Sequence, residues 1–116
     1  MPSESWNTIG YFHDLSPAEL ERLALLMEEC AESIHVIGKI IRHGYDSMHP
    51  RDPDGPSNHT LLETELGHIE AAMELMFRER DISLRRVCIH KREKLASVKR
   101  YLHHQPPEDK PGVTTK

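Results

Sequence analysis

Glu28-Glu29-Cys30-Ala31-Glu32 is the stretch on which the fold turns. Around it Leu20, Leu23, Ala24, Met27, Ala31, Ile34, Gly38 and Ile41 recur at helical spacing. They form one apolar stripe that runs to a stop at His43-Gly44. Upstream, Ser16-Pro17-Ala18-Glu19 reads as a helix start: Ser16 caps, Pro17 suits the first helical position, and Glu19 completes a capping box. Residues three and four apart share a helix face, so Glu29 and Glu32 converge and Glu28 stacks with Glu32. At about 100° per residue, Leu25, Val36 and Ile40 bracket Glu29. A carboxylate among aliphatic side chains is costly unless something compensates its charge, which makes Glu29 a candidate functional residue. Glu21, Glu28, Glu32, His35 and Lys39 form the adjacent stripe, and taken alone that stripe reads as a solvated face.

A second helix is predicted over about 60–78. Its apolar face is Leu61, Leu62, Leu66, Ile69, Ala72, Met73, Met76 and Phe77, and Glu65 falls inside that face, between Ala72 and Met76. His68 lies one turn on, at the flank. A lone histidine there would be an ordinary core residue; a carboxylate in the apolar face one turn away makes the two a candidate ligand pair. Asn58 or Thr60 could cap this helix, and Thr60-Leu61-Leu62-Glu63 has the form of a capping box. Between the two helices, 44–59 carries three prolines and two glycines without periodicity, a loop of the length that is functional or disordered in small domains. After a turn near Arg80-Asp81 a third helix is predicted over about 82–103, with Leu84, Val87, Cys88, Leu95, Val98, Tyr101 and Leu102 as a buried stripe.

The 116 residues are read as a single domain over 1–105 with a disordered tail over 106–116. Trp6, Tyr11 and Phe12, with Ile9 among them, form an N-terminal cluster expected to dock on the core. With 37% hydrophobic and 5% aromatic residues the chain has limited material for a core, and the first helix is apolar nearly all round, so the expected all-α bundle is completed by oligomerisation as a homodimer or homotetramer. Residues 1–76 hold 14 of the 19 acids, while 78–100 hold nine of the 15 lysines and arginines. A basic helix beside an acidic cluster suits an anion bridged by metal and is a poor match to a nucleic-acid groove. No apolar run approaches the roughly 18 residues of a membrane span, and no signal pattern opens the chain. Cys30 and Cys88 lack metal-type spacing and are expected as buried reduced thiols, which together points to the cytoplasm.

EECAE at 28–32, RHGYDSMHP at 42–50, Asn58, LETELG at 62–67 and KLASVKRYLHHQ at 94–105 together resemble the MazG-like branch of the all-α nucleoside triphosphate pyrophosphohydrolases, particularly its small single-domain phage and bacterial members. The resemblance covers about Leu20 to Gln105. It implies a helical bundle of that superfamily's type and a metal-dependent enzyme cleaving a nucleoside triphosphate, ribo- or deoxyribo-, into a monophosphate and pyrophosphate by attack of water on the α-phosphorus. On the matching positions Glu29, Glu32 and Glu65 would be metal ligands, and Glu28 would orient or deprotonate the water. Lys91 and Lys94 would grip the pyrophosphate; Asn58, Trp6 and Phe12 are guesses for base and sugar. His68 stands where the family has aspartate. Mg²⁺ prefers oxygen ligands, whereas imidazole suits Mn²⁺ or Co²⁺, so the cofactor is Mg²⁺ or Mn²⁺ with the softer ions favoured.

Two other readings stand beside it. Glu32-x-x-His35 and Glu65-x-x-His68 are paired Glu-x-x-His turns, the elements of ferritin-like di-metal bundles, although the third helix offers only Glu93 as a further carboxylate. The substitution at 68 also allows a catalytically silent helical adaptor.

Overall fold

The Ser16 box forms as its spacing predicts. Ser16 Oγ accepts from the Glu19 amide at 3.1 Å, and Glu19 Oε1 accepts from the Ser16 amide at 2.7 Å. From this start the computed structural model, which describes residues 14–107, carries α1 unbroken over Pro17–His43. Gly44 ends it with φ 91°, a backbone open to glycine and strained for any L side chain, and its amide donates to the Ile40 carbonyl at 2.7 Å.

The second helix, α2, spans Asn58–Arg78 and starts two residues earlier than its periodicity suggested. Its cap is Ser57, whose Oγ accepts from the Thr60 amide at 3.2 Å, so neither Asn58 nor Thr60 caps it. Asn58 is drawn into the fold instead: it is buried, and its side-chain amide donates to the Gly44 carbonyl at 3.1 Å. With the Asn58 amide on the Ser47 carbonyl and the His59 amide on the Tyr45 carbonyl, both 2.9 Å, the proline-rich loop is pinned at its root rather than loose.

At the other end of α2 the chain turns back through Arg80 at φ 65°. The Arg80 amide donates to Phe77 and the Asp81 amide to Met76, at 3.1 and 2.9 Å, the paired bonds of a Schellman cap. That turn delivers Asp81 to Arg22 at the start of α1, where Nε and Nη2 meet the two carboxylate oxygens at 2.6 and 2.9 Å. The hydrogen bond from Arg22 holds the Asp81 carboxyl below its ordinary range, and the same bond raises the guanidinium. Asn58 at one end and Arg22–Asp81 at the other fix α1 and α2 as an antiparallel hairpin. Its centre is small: Val36, Ala72 and Met76 are the buried apolar residues, with Ser33 beside them donating to the Glu29 carbonyl at 3.1 Å.

The described chain divides into two compact units, with the boundary between Ile82 and Ser83. In the second, α3 spans Leu84–Ser97, capped by Ser83 Oγ on the Arg86 amide at 3.2 Å, and tightens into a 3₁₀ turn over Val98–Arg100. The α-helix is therefore shorter than the predicted 82–103. Its apolar stripe is not buried either: Leu84, Leu95, Tyr101 and Leu102 are exposed, because a single helix has no second layer of its own to cover them. The two cysteines are likewise exposed, and both are free thiols. All regular structure among the described residues is helical, and no helix there is long and apolar enough to cross a membrane. The cluster of Trp6, Ile9, Tyr11 and Phe12 lies outside the described residues, as does all of the 106–116 tail but its first two residues.

Candidate metal centre

Midway along the hairpin the helices bring Glu29 of α1 against Glu65 and His68 of α2. Glu29 faces α2 because Leu25, Val36 and Ile40 turn that side of α1 inward; Glu65 faces α1 because Ala72 and Met76, two and three turns on, must. The Glu29 and Glu65 side chains are only 14% and 16% exposed, while His68, at the flank, is 53% exposed. His68 Nδ1 lies 3.2 Å from Glu29 Oε1 and 3.4 Å from Glu65 Oε1. One ligand atom from each residue falls within 4.8 Å of the others.

The imidazole makes a hydrogen bond to Glu29 alone. Glu65 Oε1 is enclosed by protein with no hydrogen-bond partner among the described residues. A buried carboxylate oxygen without a hydrogen bond is costly, and the ionisable group beside it is the His68 imidazole, at 3.4 Å. Two carboxylates and one imidazole are donors that a first-row divalent ion or Mg²⁺ accepts, and the residues fit such an ion.

Beside this trio lies a cavity of about 370 Å³ lined by Glu28, Ala31, Glu32, His35, Val36 and Glu65. Glu65 belongs to both. Glu28 and Glu32 are exposed at the cavity and are not among the three converging atoms. His35, read both as part of a solvated stripe and as the partner of Glu32 in a Glu-x-x-His turn, lines the cavity too. Asn58 is spent on the Gly44 carbonyl and does not line the cavity. Lys91 and Lys94 belong to the second unit and are exposed there. That unit has its own shallow concavity, about 340 Å³, lined by Leu95, Val98, Lys99, Leu102, Gln105 and Pro106, without a carboxylate.

No family model matches the chain, and no curated protein or solved structure matches it either.

Proposed function

We propose that this chain is a divalent-metal-dependent nucleoside triphosphate pyrophosphohydrolase that yields a monophosphate and pyrophosphate. The observation that carries the reading is the convergence of Glu29, Glu65 and His68, with an enclosed Glu65 Oε1 that makes no hydrogen bond, at the edge of an acid-lined cavity. Glu29, Glu65 and His68 would hold the ion, Mg²⁺ or Mn²⁺, with Glu32 the next carboxylate within the cavity. A bound divalent ion supplies charge against the triphosphate and lowers the pKa of water for attack at the α-phosphorus. Glu28, exposed at the cavity, takes the proton that this water releases. Glu29 and Glu65 stand on two packed helices and are held largely out of solvent, which favours donors placed before charge arrives. Lys91 and Lys94 are proposed for the departing pyrophosphate as cations of the basic helix, on the sequence reading alone. The uncovered apolar residues of α1 support a homodimer or homotetramer, and the two free thiols suit the cytoplasm.

The di-metal reading has one observation of its own. Glu32, His35 and Glu65 line one cavity, and His68 touches Glu65, so both Glu-x-x-His pairs border the same space. Pyrophosphate release from a panel of deoxynucleoside triphosphates, run in parallel with Mg²⁺ and Mn²⁺, separates the readings. Hydrolysis abolished by Glu65→Gln supports the enzyme. Absence of hydrolysis with rapid oxidation of added Fe²⁺ supports the di-metal protein, and neither activity leaves the silent adaptor. Within the hydrolase reading, His68→Asp is expected to raise the rate in Mg²⁺ relative to Mn²⁺, since it restores an oxygen donor and one negative charge. An unchanged metal ratio makes His68 a bystander.

A further inference from the structure

One face of α1 passes the acid-lined cavity and changes sign as it goes. At about 100° per residue, Glu28, Ala31, Glu32, His35 and Lys39 fall on one stripe, with Arg42 and His43 on either side of Lys39. The first four line the cavity together with Val36 and Glu65. Lys39 stands one turn past His35, about 6 Å along the helix, and Arg42 and His43 close the row just before Gly44. The stripe is therefore acidic where it meets the cavity and basic at its far end.

Two features turn the basic end toward the cavity rather than away from it. Side chains on an α-helix lean toward its N-terminus, which sends the Lys39 stem back over His35. Arg42 shows the lean directly: its Nη1 lies 3.8 Å from where a Cβ on Gly38 would stand, so the guanidinium lies over the preceding turn. The hairpin also leaves these cations unengaged. Arg22 is taken by Asp81 and Arg78 by Glu74, whereas Lys39, half-buried, and Arg42, exposed, ion-pair with no carboxylate among the described residues. An unpaired lysine is ordinary where its ammonium reaches water. The place of this one, in line with a cavity wall of carboxylates, is what singles it out.

We propose that Lys39, with Arg42 behind it, is the anion-binding end of this cavity and takes the β- and γ-phosphates of the triphosphate. The assignment rests on the hydrolase reading for its substrate and gives that substrate a direction: α-phosphorus beside Glu28 and Glu32, phosphate tail along α1 toward His43. As water adds to the α-phosphorus, the bond to the α–β bridging oxygen breaks and its electron pair stays with the pyrophosphate, while Glu28 takes the water's proton. The charge that develops on the leaving group thus appears at the Lys39 end, where an ammonium favours the transition state over the bound triphosphate. An ammonium is a point charge with no required angle and suits a terminal phosphate; the forked Arg42 adds bidentate reach.

Calorimetric titration of the full chain with inorganic pyrophosphate, Mn²⁺ held constant, reads the site without turnover. Lys39→Met keeps the stem and removes the charge; it is expected to weaken pyrophosphate binding at least about 10-fold while Mn²⁺-induced stabilisation is unchanged. Lys39→Arg should recover most of the loss, and Arg42→Met should weaken binding in the same direction. Arg78→Met removes an equal charge at the far end of the hairpin and should leave binding as it is. In turnover, Lys39→Met should relieve inhibition by pyrophosphate and leave inhibition by the monophosphate alone. Pyrophosphate bound equally by wild type and Lys39→Met, or weakened as much by Arg78→Met, overturns the proposal, and triphosphate hydrolysis that persists there leaves the hydrolase reading standing. Pyrophosphate held through Lys39 with no hydrolysis of any triphosphate keeps the anion site and sinks the hydrolase reading. A wild type that binds no pyrophosphate in Mn²⁺ overturns the site.

Discussion

The hairpin of residues 14–82 and the basic unit that follows it each carry helices with an apolar stripe, set among many more charges in α3, and only the hairpin encloses anything. In the hairpin, Val36, Ala72 and Met76 are buried, two carboxylates are held nearly out of solvent, and an arginine–aspartate pair closes the open end. In the basic unit no described residue reaches that degree of burial, and Leu95 is 59% exposed. An apolar stripe states that a helix has a face to cover. It does not state what covers it, and the same is true within α1, whose two apolar faces end up on opposite sides of that divide.

The comparison breaks or holds on paired truncations. Met76→Ala should cost about 2–4 kcal/mol, as expected for emptying a buried position where the surroundings collapse only in part. Leu95→Ala should stay within about 0.5 kcal/mol, the range of exposed sites. Urea denaturation followed by circular dichroism gives both values. Equal losses would mean that α3 has a covered face in solution.

Within the hairpin, Glu65 is the carboxylate whose proposed ligand role is most open to test. Glu65→Gln removes one of two facing carboxylates, so the metal-free melting temperature should hold or rise. The wild type should gain about 2.7 kcal/mol when Mn²⁺ reaches a hundred times its dissociation constant, and the mutant should lose nearly all of that gain. Thermal melts with and without Mn²⁺ decide it; a mutant that keeps the full metal increment shows that Glu65 is no ligand.

Much of this was legible in the residues, for local reasons. The Ser16 box, the stop at Gly44 and the place of Glu65 between Ala72 and Met76 all follow from spacings of a few residues, where helix geometry alone dictates who meets whom. The same rules could not choose among Ser57, Asn58 and Thr60 as the cap of α2, since all three types cap well. A tertiary bond decided it, by taking the Asn58 amide for a carbonyl fourteen residues away. Arg22 and Asp81 are 59 residues apart and carry no shared pattern, so their pairing needed the folded hairpin to be seen. The orphaned oxygen of Glu65 is legible only once both helices are in place, because it is defined by what fails to reach it.

The Arg22–Asp81 pair, part-buried and bidentate, gives the hairpin an acid-sensitive end; the basic unit's His90–Glu93 pair is exposed on one helix. Because the Asp81 carboxyl titrates below its ordinary 3.8 in the folded chain, its contribution is present above that value and is lost as pH falls through the lower, folded one. Asp81→Asn should therefore be less stable than the wild type near neutrality, with the gap closing as pH drops below about 4. Denaturation midpoints at pH 7, 5, 4 and 3 follow the convergence; a gap that stays constant would mean that the ion pair contributes through packing alone.

The smallest effect lies one residue before Asp81, at the turn that delivers it. Arg80 holds φ 65°, a conformation that costs an L residue about 1 kcal/mol and glycine almost nothing, and it does so at the position where helices most often end in glycine. Arg80→Gly relieves that strain while loosening the unfolded chain, which returns part of the gain. The net expectation is stabilisation by about 0.5 kcal/mol, with the Asp81 amide still on the Met76 carbonyl and the Arg22 pair intact. Substitution to glycine in the middle of α3, at His90, should instead destabilise by about 0.5–1 kcal/mol. Opposite signs for the two glycines, measured by urea denaturation, would show that the strained turn is what the hairpin accepts in order to close on Arg22. A loss at both sites would mean that the Arg80 side chain contributes more than its backbone costs.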